Sequence, residues 1–146
     1  MAKEIDFPPV WLAGFAALGG FVGSIVPVDW AYNSIIGAAL IIVGALVMVL
    51  AVGQMLLART TVIPHRDPSA LVMNGMFSLS RNPIYLADTL ILTGLYLHWD
   101  AVLALPLVLL FMIVITRRFI RPEEARLESA FGEVFAEYRA RTRRWI

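Results

Sequence analysis

The segment Ser80-Arg81-Asn82-Pro83-Ile84-Tyr85 sets a guanidinium and a phenol on either side of a helix-starting proline. Asn82 suits an N-cap and Pro83 the first helical position, so Arg81 stands at a helix rim and Tyr85 projects from the first turn. Such a pair can grip a carboxylate and line a pocket. It can equally anchor a helix end, Arg81 by its charge and Tyr85 by its interfacial ring. Asp88 lies one turn further, inside a hydrophobic segment. A carboxylate there is expensive and faces a bundle interior or a wet cavity, as a functional acid or as a neutral, hydrogen-bonded group. Arg121-Pro122-Glu123-Glu124 repeats the device of a basic residue before a proline. Two acids in a first turn complement the helix dipole, and they would also suit a small polar or cationic ligand beside Arg81 and Tyr85. His65, between Pro64 and Arg66, reads as a solvated loop residue, and Gln54 as a helix-packing hydrogen bonder.

Other chemistries find no residues. The absence of cysteine excludes a disulfide framework, a thiolate zinc site and a cysteine nucleophile. Two histidines argue against a histidine-rich metal site, so no metal is expected, and no stretch matches a dinucleotide loop, a phosphate loop, a nucleophile elbow or an HExxH pair. A net charge of +1 provides no global field for nucleic acid.

The elements that must position these residues are membrane helices. Of the 146 residues 60% are hydrophobic and 16% charged, against about half and a quarter in soluble domains. Four charge-poor stretches stand out: Val10 to Val28, Trp30 to Ala58, Ile84 to Trp99 and Ala101 to Thr116. The second is roughly 43 Å long as a helix, more than the roughly 30 Å of hydrocarbon it would cross, so it tilts or projects. The last two form a tight hairpin whose flanks must lie in the interface. The expectation is an all-α, single-domain bundle over 1–146 with four transmembrane helices, a loop over 59–83 and a tail over 117–146. Lys3, Glu4, Asp6 and the Pro8-Pro9 pair, with a second hydrophobic stretch following at once, favour a retained first helix over a cleaved signal peptide.

Four spans put the N-terminus, the central loop and the tail on one side. All 12 basic residues fall there: Lys3, then Arg59, Arg66 and Arg81, then eight arginines from Arg117 to Arg144. The positive-inside rule makes that side, with both termini, cytoplasmic. Gly19 and Gly23 form a GxxxG pair, with Gly37 and Gly44 on the second span, so the first two spans are expected to pack closely. The same pair suits a homodimer, and the oligomeric state stays open. In the tail, Leu127, Ala130, Phe131, Val134, Phe135 and Tyr138 make one apolar helical stripe, placed against the membrane surface or capping the bundle.

Taken in order, Leu71-Val72, Gly75, Phe77, Arg81-Asn82-Pro83-x-Tyr85, Glu123-Glu124, Phe131-Gly132-Glu133 and Glu137-Tyr138 resemble one group of integral membrane enzymes. This is the isoprenylcysteine carboxyl methyltransferase and phospholipid methyltransferase superfamily, and the resemblance covers Thr60 to Trp145. It implies an S-adenosylmethionine-dependent methyltransferase acting on a lipophilic acceptor at the cytoplasmic membrane face. It implies catalytic roles for Arg81 and Tyr85. It also implies a cofactor pocket of His65, Leu71, Val72, Gly75, Arg81, Pro83, Tyr85, Glu123 and Glu124. His65 enters because Ser69 stands where the family has a histidine before the Leu-Val pair. Ala87 and Phe135 are further departures from the family pattern. The acceptor implied is a lipophilic small molecule or lipid, carrying a prenylcysteine-like carboxylate, a thiol or a lipid amine. A small four-helix transporter is the competing reading. It is disfavoured because the first two spans carry no charge and Asp88 alone would serve it.

Overall fold

Residues 6–146 are described by the structure, a computed structural model; Lys3 and Glu4 lie outside them. Helix α1 (Pro8–Ile25) begins at the proline pair, whose missing N–H groups cost nothing in a first turn, and stops before Pro27. Helix α2 (Asn33–Leu57) follows, then a loop ending in the short helix α3 (Met76–Leu79). Helix α4 (Pro83–His98) opens at Pro83 as expected. A 3-10 turn over Val102–Ala104 leads into α5 (Pro106–Ile115), and α6 (Arg121–Phe131) and α7 (Glu133–Arg141) complete the chain. The fold is all-helical.

The outward faces of α1, α2 and α5 are apolar, with Phe21, Ile25, Ile35, Ile42, Val49, Leu57 and Leu109 among their exposed side chains. A soluble fold would not leave so continuous an apolar surface to water; lipid is its solvent. Among the described residues three helices are long and apolar enough to cross by length and composition: Pro8–Ile25, Asn33–Leu57 and the continuous run Val102–Phe131. The third expected span, α4, has 16 residues, about 24 Å of helix. It is the buried centre of the bundle, contributing Tyr85, Ala87, Asp88, Leu92 and Tyr96 to the interior.

That position corrects the expected pairing of the first two spans. Both α1 and α2 pack chiefly on α4 rather than on each other. A Cβ added to Gly37 would lie 2.6 Å from the carbonyl oxygen of Gly94, and one at Gly44 would lie 2.9 Å from that of Ala87. Gly19 and Gly23 are consumed in the same way. A Cβ at Gly19 would overlap the Tyr96 ring, and one at Gly23 would meet the Trp99 carbonyl oxygen at 2.8 Å. The Tyr96 hydroxyl donates to the Phe15 carbonyl at 2.6 Å, which fixes that ring. The expected homodimer through Gly19 and Gly23 is therefore corrected: both glycines are buried inside the chain. At the far end, Asn33 donates to the Val28 carbonyl and to Asp100, joining the two turns there.

The tail also differs from the single helix expected to begin at Pro122. The chain continues from α5 through one π-helical turn, Thr116–Ile120, directly into α6. In that turn the Arg121 N–H reaches back to the Thr116 carbonyl. The wider turn gives Pro122 room where an α-helix would press its ring on a carbonyl four residues earlier. Arg118 leaves this turn to grip Asp6 through Nε at 3.1 Å and Nη2 at 3.0 Å, and stacks over Trp11. The hydrogen bond from Arg118 holds the Asp6 carboxyl below its usual range. The apolar stripe then breaks at Gly132, whose φ of 53° ends α6 and starts α7. Phe135 and Tyr138 are buried against Ala51 and Phe77, with Leu127 and Phe131 packed beside them, while Val134 is half exposed. The tail caps the bundle and touches protein, not only lipid.

Candidate active site at the basic end of the bundle

A cavity of about 360 Å³ opens where the start of α4, the loop before it, α6 and the beginning of α1 meet. Its size falls in the ordinary range for small-molecule sites. His65, Leu71, Val72, Arg81, Pro83, Tyr85 and Glu123 all line it. Gly75 and Glu124, the two other residues singled out from sequence, do not.

Each has a reason to lie elsewhere. Gly75 adopts φ 57° at the start of α3, and a Cβ there would collide with the Gln54 amide. That amide donates from Nε2 to the Asn74 carbonyl at 3.1 Å and accepts from the Met76 N–H at 2.9 Å. Gly75 and Gln54 thus dock the loop on α2, a supporting role one layer behind the cavity. Glu124 turns away from the cavity. It takes Arg144 in a two-pronged grip at 3.0 and 2.8 Å and Arg81 Nη2 at 3.1 Å. Arg81 and Glu124 are largely withdrawn from solvent, whereas Arg144 is partly exposed. The bond to Glu124 pushes the Arg144 guanidinium up, whereas burial pushes that of Arg81 down against the opposing pull of Glu124.

Asn82 holds the N-cap position of α4, but its side chain does not cap the helix. Its Nδ2 donates to the Arg144 carbonyl at 2.9 Å, and the Arg81 N–H donates to the Arg143 carbonyl at 3.0 Å. The segment after α7 is therefore a strap that fixes the residues bearing Arg81. The Tyr138 hydroxyl, pushed up to about 12 by burial, stays protonated and donates to the Phe77 carbonyl, tying α7 to α3.

Arg81 keeps only Nη2 in its ion pair. Among the described residues its Nε and Nη1 are buried without a partner, and its side chain is 9% exposed. Arg126 lines the same cavity with a buried Nη1 that finds no partner among the described residues, and its Nη2 lies 3.5 Å from His65 Nδ1. Both guanidinium groups border the cavity, and a planar fork of this kind suits a carboxylate. The Tyr85 hydroxyl donates to Glu123 Oε1 at 2.8 Å, which sets a carboxylate in the same wall. Leu71, Val72, Met48 and Met55 supply apolar surface. Arg126 went unread in the sequence. The signal was its place three residues after Glu123, one turn along the same helical face.

The sequence pattern of the family described as phospholipid methyltransferase matches residues 32–134. The cobalt-zinc-cadmium resistance protein CzcN of Cupriavidus metallidurans is 41% identical to this chain over 85 residues. That stretch covers 55% of the chain and 37% of CzcN, so the chain spans little more than a third of that relative. No solved structure matches.

Proposed function

Because the chain belongs to the phospholipid methyltransferase family, we propose that its cavity binds S-adenosylmethionine and serves transfer of the methyl group to a lipophilic acceptor. The observation that carries this reading is a cavity bordered by two guanidinium groups, Arg81 and Arg126, beside the Tyr85–Glu123 pair. A donor of this kind carries a carboxylate, an ammonium and hydroxyls on a partly apolar body. Arg81 and Arg126 would hold the carboxylate. Glu123, oriented by Tyr85, would accept hydrogen bonds from the ammonium or hydroxyls. Leu71 and Val72 would pack the apolar part, and the loop bearing His65 would cover it.

When bound, the donor supplies an electrophilic methyl on a sulfonium. Such a reaction asks the protein for alignment more than for covalent work. In this chain alignment falls to the start of α4, held from behind by Glu124 and the strap. The basic residues gathered at this end support a cytoplasmic position for the cavity and both termini. The acceptor would come from the bilayer, as in isoprenylcysteine carboxyl methyltransferases or in enzymes that methylate phospholipid amines or thiols.

Calorimetric titration of the detergent-solubilised chain with S-adenosylhomocysteine tests the reading. Binding is expected, and Arg126→Ala should weaken it by about tenfold or more, as loss of a charged hydrogen bond does. A parent chain that does not bind overturns the assignment.

A further inference from the structure

Asp88 is left without work by that reading. It is 5% exposed, stands one helical turn from Tyr85 toward the middle of α4, and lines the same cavity. Among the described residues no hydrogen bond or ion pair engages its carboxylate. The polar side chains beside it look elsewhere: Thr89 donates to the Tyr85 carbonyl and Thr93 to that of Thr89, both at 2.8 Å. A buried acid inside an apolar helix is expensive unless something meets it, and nothing among the described residues does.

The cavity is charged differently along its length. Arg81 and Arg126 stand at its rim with the loop of His65, and Glu123 is already engaged by Tyr85. Further along α4 the wall is apolar. Gly44 of α2 packs against Ala87, which places Met48, one turn along α2, at the level of the start of α4. Asp88 is the acid at this inner end, toward the middle of α4.

We propose that Asp88 is the acceptor-side residue, which receives a proton from an amine or thiol carried on a lipophilic chain, and that carboxylates are poor acceptors. The inference rests on the cavity being the methyl-donor site. A second carboxylate brought beside Asp88 in a low-dielectric wall is repelled, whereas an ammonium or a thiol gains a partner. In the transfer the acceptor's nitrogen or sulfur forms a bond to the methyl carbon as the carbon–sulfur bond of the donor breaks. The electron pair stays on the donor sulfur, which becomes a neutral thioether. The proton displaced from the acceptor goes to an Asp88 carboxylate oxygen, and thence to water at the rim.

The test uses the full chain and its Asp88→Asn and Asp88→Glu variants in lipid nanodiscs. Three arms carry dodecylamine, dodecanethiol and an N-acetyl-S-alkylcysteine, whose carboxylate is free and whose nitrogen is blocked. A fourth measures equilibrium binding of dodecyltrimethylammonium, which carries the charge but cannot accept a methyl group. The parent is expected to methylate the amine or the thiol in preference to the carboxylate. Asp88→Asn should lower kcat for that acceptor by about 100-fold or more, the usual worth of a proton-accepting group. It should weaken dodecyltrimethylammonium by at least about tenfold, while S-adenosylhomocysteine binds as to the parent. Asp88→Glu should retain the ammonium site.

Loss of S-adenosylhomocysteine binding in a folded Asp88→Asn chain would give Asp88 to the donor and overturn the proposal. So would unchanged transfer and ammonium binding in that variant, or a parent that prefers the carboxylate. The last comparison needs no variant, so a substitution that fails to fold leaves the proposal exposed to refutation. A parent that does not bind S-adenosylhomocysteine removes the donor site itself, an outcome separate from failure of the Asp88 assignment alone.

Discussion

Glu123 and Glu124 leave the same helical turn in different directions, the first toward Tyr85 and the cavity, the second toward Arg81 and Arg144. Neutralising them should therefore have opposite signatures. Glu124→Gln leaves the Arg81 guanidinium buried without its counter-charge and should cost about 3 kcal/mol of stability, as broken buried pairs do. Thermal unfolding in detergent reads that loss. Glu123→Gln should unfold like the parent and lose affinity for S-adenosylhomocysteine by about tenfold. Equal unfolding temperatures for the two variants would contradict the division. Arg81→Lys should insert normally but lose about tenfold or more in the same titration, because an ammonium cannot supply the Nε and Nη1 donors of a planar fork. Full affinity would return Arg81 to the role of a helix anchor. The pair of glutamates was legible in the sequence as a motif, but not its division. What separates them is Arg144, twenty residues further on, and no local spacing announces a strap that must first fold back. Arg126 was within reach of helical spacing, whereas the fate of Gly75 depended on Gln54 of another element.

Helix α4 owes its place to glycines on both neighbours, and the closeness of each contact grades the expected cost of adding a methyl group. Gly37→Ala sets a Cβ against the Gly94 backbone, where no side chain can swing aside, and should cost about 1–3 kcal/mol. Gly14→Ala meets nothing within 4 Å and should be neutral or slightly stabilising, as alanine is favoured in helices. Unfolding curves for the two variants check the contrast; equal destabilisation would mean that α2 does not press on α4 in this way. Small residues at four-residue steps are enough to announce close approach. Their partner is another matter, since a stripe specifies a distance and not the helix that fills it. The tail shows the same division. Its periodicity identifies the face that is buried, while the break at Gly132 is hidden because the apolar residues continue in step on both sides. Phe135→Asp puts a charge on a fully buried ring position and should detach the tail and abolish S-adenosylhomocysteine binding. Val134→Asp, on the half-exposed side, should retain it. Loss in both variants would mean that the exposed side of the tail is also covered.

For the whole molecule, the concentration of basic residues at one end makes orientation testable in cells. The chain has no cysteine, so Ser34→Cys and Arg66→Cys each provide one label site, at opposite ends of the bundle. The first is expected to react with an impermeant maleimide from outside intact cells, and the second only after permeabilisation. Reversed reactivity would turn the cavity outward. Membrane character was the most readable feature of this chain, because it depends on composition rather than on contacts. The depth of α4 was less so: it has 16 residues and a less apolar composition than α1 or α2, and its burial between them explains how it can be both. That burial has a consequence for biosynthesis. Chain order delivers α1 and α2 to the membrane first, yet the surfaces they will share are both surfaces of α4. The pair cannot mature as a hairpin and then accept a third helix at its edge. It has to remain parted until α4 leaves the ribosome and enters between them, with Gly23 and Gly37 unmatched in the meantime. A nascent chain stalled before Pro83 would hold two inserted helices and no bundle.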